Sequence, residues 1–494
     1  MITMKRYTSF IGLLFSIILL LVASCGTTKK TTREKETIKV PIMKSDTSTV
    51  ALVMPHKEVR AVWVATIGGI DWPREHFSET AQKAWYTQML DTLQRLNINT
   101  VYFQIRPKAD AFYDSPYEPW SQYITGYRGK APGYDVLKWA IDETHKRGMS
   151  FHAWMNPYRI DQKQRPKDKF SQLDDKIPSQ FIKDYRMVRI YNPAMPETRQ
   201  RVCDIVADLL RRYDVDGIHI DDYFYPALQK NEKMRDEAEY RRYGKGFASV
   251  AEFRRAMVDS LIVGMHDTIK AIRPAAIFSV SPQGNYENNY NTMYADIALW
   301  SSHGWCDVVI PQLYWSTERW FLPRLKWFSE NATHRTKLVI GYALYRFDAK
   351  AKDPCYRSAD DLSRQMDAAR ADGHVSGDAL YSAIWLMKNP VGINSIIARH
   401  YPTPVLAPYL GQGDEVRPDA PQGLNTNGSE LFWQPVKDCY YAVYKVMNGK
   451  AVLVSVVYNN KVAVAPAATY FVTAVRKGCN AESRPSVTVN LSPQ

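Results

Sequence analysis

Cysteine is scarce, with six in 494 residues, and no CxxC pair or Cys/His cluster of metal-ligand spacing occurs, which argues against a structural zinc site. Lys/Arg blocks are also missing: the formal charge is +13, yet the basic residues are dispersed, so no nucleic-acid partner is expected. No glycine-rich phosphate loop follows the first strand candidate, which disfavours a doubly wound nucleotide-binding sheet. Long apolar runs are limited to Phe10 to Val22, too short for a comfortable membrane span.

That run has a specific setting. Lys5 and Arg6 precede it, and "VASCG" follows, placing small residues directly before Cys25. The arrangement resembles a bacterial lipobox, in which the Cys25 thiol is lipidated and residues 1–24 are removed as a signal peptide. The expected location is the cell envelope, at the outer membrane, through an N-terminal lipid anchor. Residues 25–57, rich in Thr and Lys, read as a flexible tether. Five cysteines remain after acylation, an odd number; buried thiols are expected for Cys203, Cys306 and Cys355, with Cys439 and Cys479 a candidate pair.

What is abundant is aromatic and apolar. Hydrophobic residues make up 45% of the chain, enough for a sizeable core, and 13 Trp with 31 Tyr supply flat faces of the kind on which sugar rings or bases stack. From residue 58 to 402 strand and helix patterns alternate. The strand candidates are "VRAVWVATI", "NTVYFQIRP", "SFHAWMNPY", "DGIHIDDYF", "AIFSVSPQ", "DVVIPQLYW", "KLVIGYALY" and "LYSAIWLM", with amphipathic stretches between them. This predicts an α/β fold, a (β/α)8 TIM barrel. A Pro/Gly-rich linker over residues 403–420 follows, and then short alternating strands over 421–494 that resemble a fibronectin III-like β-sandwich, with Trp433 as core residue and Tyr470 as corner tyrosine. Such a module reads as a spacer or a weak binder with no chemistry.

Alternation along the strands predicts which side chains face the barrel interior. In "GIHIDDY" it aims His219, Asp221 and Tyr223 inward and Asp222 away, at the strand's end. Tyr102, Gln104 and Arg106 face in from the second strand, His152, Trp154 and Asn156 from the third. On the fifth, Ser279, Ser281 and Gln283 are set against Ile277; on the sixth, Gln312 and Tyr314 face in. A barrel rim of amides, aromatics, an arginine and a carboxylate suits a ligand with many hydroxyls.

The motifs "EVRAVWVATIGGIDWP", "NTVYFQIRPKADAFYDSPYEPWSQYITG", "HAWMNPYR", "VDGIHIDDYFYP", "SVSPQGNY" and "DVVIPQLYW" together resemble the glycosyl hydrolase-like 10 family, also called the domain of unknown function 187 family, from Glu58 to Tyr401. The resemblance implies a TIM barrel with a glycosidase-type site and a carbohydrate substrate. A more distant resemblance to α-amylase-like barrels implies Asp221 as nucleophile and His219 as its neighbour for a sugar hydroxyl, but where those barrels carry a Glu on strand five this chain has Ser279 and Ser281. Glycoside hydrolysis needs a second carboxyl group. Asp222 is the first choice as the acid, Glu287 the second, and Asp110 the third. Gln104, Arg106, Asp110, His152, Trp154, Asn156, Tyr158, His219, Tyr223, Gln312 and Tyr314 are the expected sugar contacts. No cofactor is called for. Two other classes remain: a non-catalytic glycan-binding lipoprotein, motivated by the missing strand-five Glu, and a metal-dependent hydrolase on His152, His219 and Asp221, which no HxH or HExxH spacing supports.

Overall fold

The computed structural model describes residues 36–42 and 49–491. The expected signal peptide and the expected lipidation site, Cys25, lie outside the described residues. Among those described, no helix is long and apolar enough to cross a membrane.

Eight parallel strands close into a barrel: β1 (Val59–Val64), β2 (Thr100–Arg106), β3 (Ser150–Met155), β4 (Gly217–Ile220), β5 (Ile277–Val280), β6 (Val308–Val309), β7 (Lys337–Ala343) and β8 (Val375–Tyr381). A helix follows each strand, and side chains satisfy the free N–H groups where several of these helices start. Ser78 Oγ accepts from Ala81 N, Asp135 from Lys138 N, and Ser249 Oγ from Glu252 N. Strand alternation divides the core in two. Val62, Val101, Phe103, Phe151, Ile218 and Phe278 pack outward under the helices, while Ala61, Trp63, Tyr102, Trp154, Val308 and Val339 fill the interior. Ile277 belongs to the interior as well, on the same face as Ser279, which corrects the expectation that set the two apart. Gly217 opens β4 where nothing larger fits: a Cβ there would lie 2.4 Å from His152 Nδ1 and 2.5 Å from the Ile277 carbonyl.

Two additions were not visible in the sequence pattern. After β3 the chain makes an antiparallel three-stranded sheet from Arg159–Gln162, Ile182–Asp184 and Val188–Tyr191, which stands beside the barrel's C-terminal rim. Thr37–Pro41 and Thr49–Val53, expected within a flexible tether, instead pair as two antiparallel strands. This hairpin extends a sheet at the other end of the chain, where Val53 N–H donates to the Gly449 carbonyl.

That sheet belongs to the C-terminal module. One layer contains β9 (Asn425–Asn427), β10 (Glu430–Phe432) and β13 (Lys461–Ala463); the other is β12 (Lys450–Val457), β11 (Cys439–Met447), β14 (Ala468–Arg476) and β15 (Val489–Leu491). Trp433 is buried between them, and Tyr470 Oη donates to the Ala465 carbonyl at 2.8 Å. Cys439 and Cys479 are separate buried thiols. The module is no free spacer. Leu410, Cys479 and Ala481 join the barrel's interior cluster at its base, Tyr458 stacks on His145 with 4.0 Å between ring centroids, and Lys477 pairs with Asp214.

Candidate active site

A cleft of about 520 Å3 opens at the C-terminal rim of the barrel, where strand ends and the loops after them converge. Asp221 and Asp222 follow β4 directly and both line it. Asp221 is held from β3. Trp154 Nε1–H donates to its Oδ2 at 3.1 Å, and Asn156 Nδ2–H donates to its Oδ1 at 3.1 Å. The amide's orientation is set independently, because Asn156 Oδ1 accepts the Arg159 backbone N–H at 2.8 Å. Both Asp221 oxygens are therefore acceptors. Asp222 accepts from the Gln283 and Gln312 side chains and is the more open of the two.

Burial sets the electrostatics. It pushes the Asp221 carboxyl up to about 7, the Asp222 charge adds to that, and Arg159 opposes it. Asp222 is raised too, again mainly by burial. Two adjacent, poorly solvated carboxylates resist carrying two charges, so the pair retains a proton near neutral pH. The Arg159 guanidinium lies 4.1 Å from the Tyr223 ring centroid, and its Nε–H donates to the Pro107 carbonyl at 3.0 Å.

The cleft walls are aromatic. Trp63 and Trp154 come from β1 and β3, Tyr381 from the end of β8, and Tyr223, Tyr314 and Tyr345 from loops. Gln104 lines the cleft as expected, but its Oε1 accepts from Thr66 N and Ile67 N and so also fixes the loop after β1. Gln312, Tyr314, Tyr223 and Trp154 line it as the alternation predicted, and Asn156 acts behind them through Asp221.

Other expected contacts lie elsewhere. Arg106 is fully buried against Glu118, with Nε–H to Oε2 at 2.6 Å and further bonds to the Asn156 and Pro157 carbonyls, because the register of β2 slips between Gln104 and Arg106. Asp110 is buried in the loop beyond it. Tyr158 is buried in the outward core among apolar side chains. His152 and His219 face inward but lie below the cleft floor. His219 Nε2 accepts from Trp63 Nε1–H at 3.0 Å, which leaves the proton on Nδ1 to donate to Ser279 Oγ at 2.8 Å. Burial lowers both imidazoles, His152 to about 4, and both are neutral at physiological pH. Among the described residues no three His, Cys, Asp or Glu side chains converge as metal ligands. Glu287 is exposed and paired with Arg324 Nη1 at 2.6 Å, outside the cleft lining. Asp222, expected to face away, faces the cleft instead: β4 ends at Ile220, so alternation no longer applies at 222.

Sequence reasoning missed Arg159 and Tyr381, which line the cleft, and Asp71 behind it. Arg159 closes the "HAWMNPYR" motif, whose ending in a cation was the available signal. Asp71 is fully buried and joins the loop after β1 to the end of β8, accepting from Ala65 N, Ser382 Oγ and Ile384 N.

The sequence profile described as Glycosyl hydrolase-like 10 matches residues 58–358. Glycosyl hydrolase YngK of Bacillus subtilis is 35% identical over 448 residues, which cover 84% of this chain and 86% of that protein. Glycosyl hydrolase DigH of Escherichia coli is 34% identical over 369 residues, covering 67% of this chain and 84% of that protein. Among solved structures, the PgaB (BpsB) glycoside hydrolase domain from Bordetella bronchiseptica aligns with a TM-score of 0.48 at 12% identity, covering 69% of this chain and 98% of that one.

Proposed function

The chain belongs to the glycosyl hydrolase-like 10 family, and from that premise we propose that it hydrolyses an oligo- or polysaccharide through the pair Asp221 and Asp222. The observation that carries this reading is the pair itself, two adjacent carboxyls on the floor of an aromatic cleft. The acid absent from strand five is thereby supplied from the end of β4.

Position assigns the roles. Asp221 is the more buried of the two, with both oxygens held by Trp154 and Asn156, whereas Asp222 is the more open and can reach a departing oxygen, so the proton that the pair shares is delivered through Asp222. Asp222 gives that proton to the glycosidic oxygen as the C–O bond breaks. Asp221 stabilises positive charge developing at the anomeric carbon. Trp63, Trp154 and the rim tyrosines supply stacking faces for the ring.

The test compares wild type, Asp221→Asn and Asp222→Asn on a panel of tetrasaccharides and para-nitrophenyl glycosides. Asp222→Asn is expected to lose about 10²–10⁴-fold on the oligosaccharide and to recover part of that on the activated leaving group. Asp221→Asn is expected to lose on both. Wild-type rates in both variants would sink the assignment.

The reading extends to location and to the module. The "VASCG" stretch supports a lipid on Cys25 that holds the protein at the outer membrane, and Cys25→Ala is expected to abolish membrane partitioning. The two-layer strand order and the Tyr470 bond support a fibronectin III-type sandwich.

A further inference from the structure

The cleft does not end at the aspartates. Arg159, Gln162, Asp222 and Tyr223 form a shared wall, and behind it a second lobe of about 260 Å3 opens, half the volume of the first. Its chemistry differs. Met187, Val188 and Ile190 reach it from the small sheet after β3, Phe224 and Ala227 from the loop after β4, and Met293 from the segment after β5. Trp63, Trp154 and Trp385 line the first lobe, and no Trp lines the second. The aspartates are divided unequally: Asp221 lines the first lobe alone, whereas Asp222 lines both.

We propose that the first lobe holds the sugar whose anomeric carbon reacts, and that the second is the leaving-group subsite, which takes a further sugar ring against its apolar lining. This rests on the two-carboxylate reading above. In that chemistry the charged carboxylate must face the anomeric carbon and the acid must face the departing oxygen. The scissile bond therefore runs from the lobe that holds Asp221 toward the junction that Asp222 shares. As it breaks, the electron pair goes to the leaving oxygen, the Asp222 proton joins that oxygen, and water supplies the hydroxyl at the anomeric carbon while its other proton returns to the carboxylate pair. The stacked Arg159 and Tyr223 fix the width of the passage between lobes. Methionine side chains on two sides give an adaptable apolar surface. The consequence is selectivity for bonds whose leaving group is itself a sugar.

Ala227 is exposed on its loop, so Ala227→Trp fills the second lobe without touching the core, and Val188→Trp fills it from the facing wall. The measured quantity is the ratio of kcat/KM on a tetrasaccharide to kcat/KM on the para-nitrophenyl glycoside of the same sugar. The ratio is expected to fall at least about tenfold in each variant, with thermal melts confirming folding. A ratio unchanged in both overturns the proposal, and if it is unchanged because both substrates lose rate equally, the reacting sugar sits in the second lobe. If the wild type turns over no member of the panel, the hydrolase reading is what fails, and affinity then decides the lobe. Calorimetric titration would show Ala227→Trp losing the preference for tetrasaccharide over monosaccharide; an intact preference overturns the subsite.

Discussion

His219 points into the barrel, as alternation places it, yet it never reaches the cleft. Alternation reports direction and says nothing of depth. His219 and His152 are buried beneath the cleft among Trp63, Tyr102 and Trp154, and His219, a neutral imidazole bonded at both nitrogens, links strands. Asp221 lies one layer higher, where direction and depth agree. Arg106 and Asp222 were misplaced for a different reason: alternation holds only while the strand is regular, and one follows a register slip while the other lies beyond the strand's last residue. The raised Asp221 carboxyl carries a stability prediction. Because its folded value, about 7, exceeds the ordinary 3.8, the native state binds its proton more readily than the unfolded chain does. The associated stability is fully present below about pH 3.8 and is lost as pH rises toward 7, on the order of 4 kcal/mol in all. The unfolding free energy of Asp221→Asn relative to wild type should thus rise across that window in urea titrations at successive pH values. A difference that stays flat from pH 4 to 7 would rule out a raised carboxyl.

At the scale of elements, seven of the eight barrel strands were legible because each carries its own run of β-branched and aromatic residues. The eighth candidate, "LYSAIWLM", meets β8 only at Leu380 and Tyr381 and then runs into the helix Ala383–Lys388, because the true strand, "VSGDALY", has little β-branched or aromatic content to mark it. Even β6, only Val308–Val309, showed through "DVVIPQLYW". The small sheet after β3 was not legible. Its strands are short and polar, and what holds them is tertiary: Glu118 accepts from Arg106 at the end of β2 and from Tyr191 Oη on the added sheet at 3.4 Å. No local pattern reports such a tie. Glu118→Gln leaves the fully buried guanidinium without a compensating charge, a change that typically costs about 3–5 kcal/mol. The expected outcome is a lower urea midpoint with a loss of that order. An unfolding free energy within about 0.5 kcal/mol of wild type would mean that the pair does not anchor these elements.

Over the whole molecule, the hairpin before β1 and the C-terminal module meet beneath the barrel. The hairpin before β1 extends the C-terminal sheet, so the sandwich and the barrel are joined by the strands on either side of the barrel as well as by contact. The contact is close. Gly478, at φ +83°, brings the module's backbone against the barrel base, where an added Cβ would lie 2.2 Å from the Ala275 carbonyl and 2.8 Å from that of Asp216. Leu410 N–H donates to the Cys479 carbonyl at 2.9 Å, and Gln412 Nε2 donates to the carbonyls of Gly304 and Cys306. A chain ending at Leu410 would expose the apolar cluster that includes Ala61, Ile277 and Val308, and would leave the N-terminal hairpin without its sheet. It is expected to be insoluble or to melt well below the full chain, although the cleft lies at the opposite end of the barrel. Truncation alone does not separate loss of cover from loss of the hairpin's partner, so a point change in the interface completes the test. Gly478→Ala adds one methyl against two carbonyls in a left-handed backbone, and it is expected to destabilise the full chain by more than about 1 kcal/mol with a single unfolding transition retained. If Gly478→Ala melts in two separated steps, or if the Leu410 chain keeps the full-length melting temperature, the barrel and the sandwich are independent units, and the base contact contributes nothing to the fold.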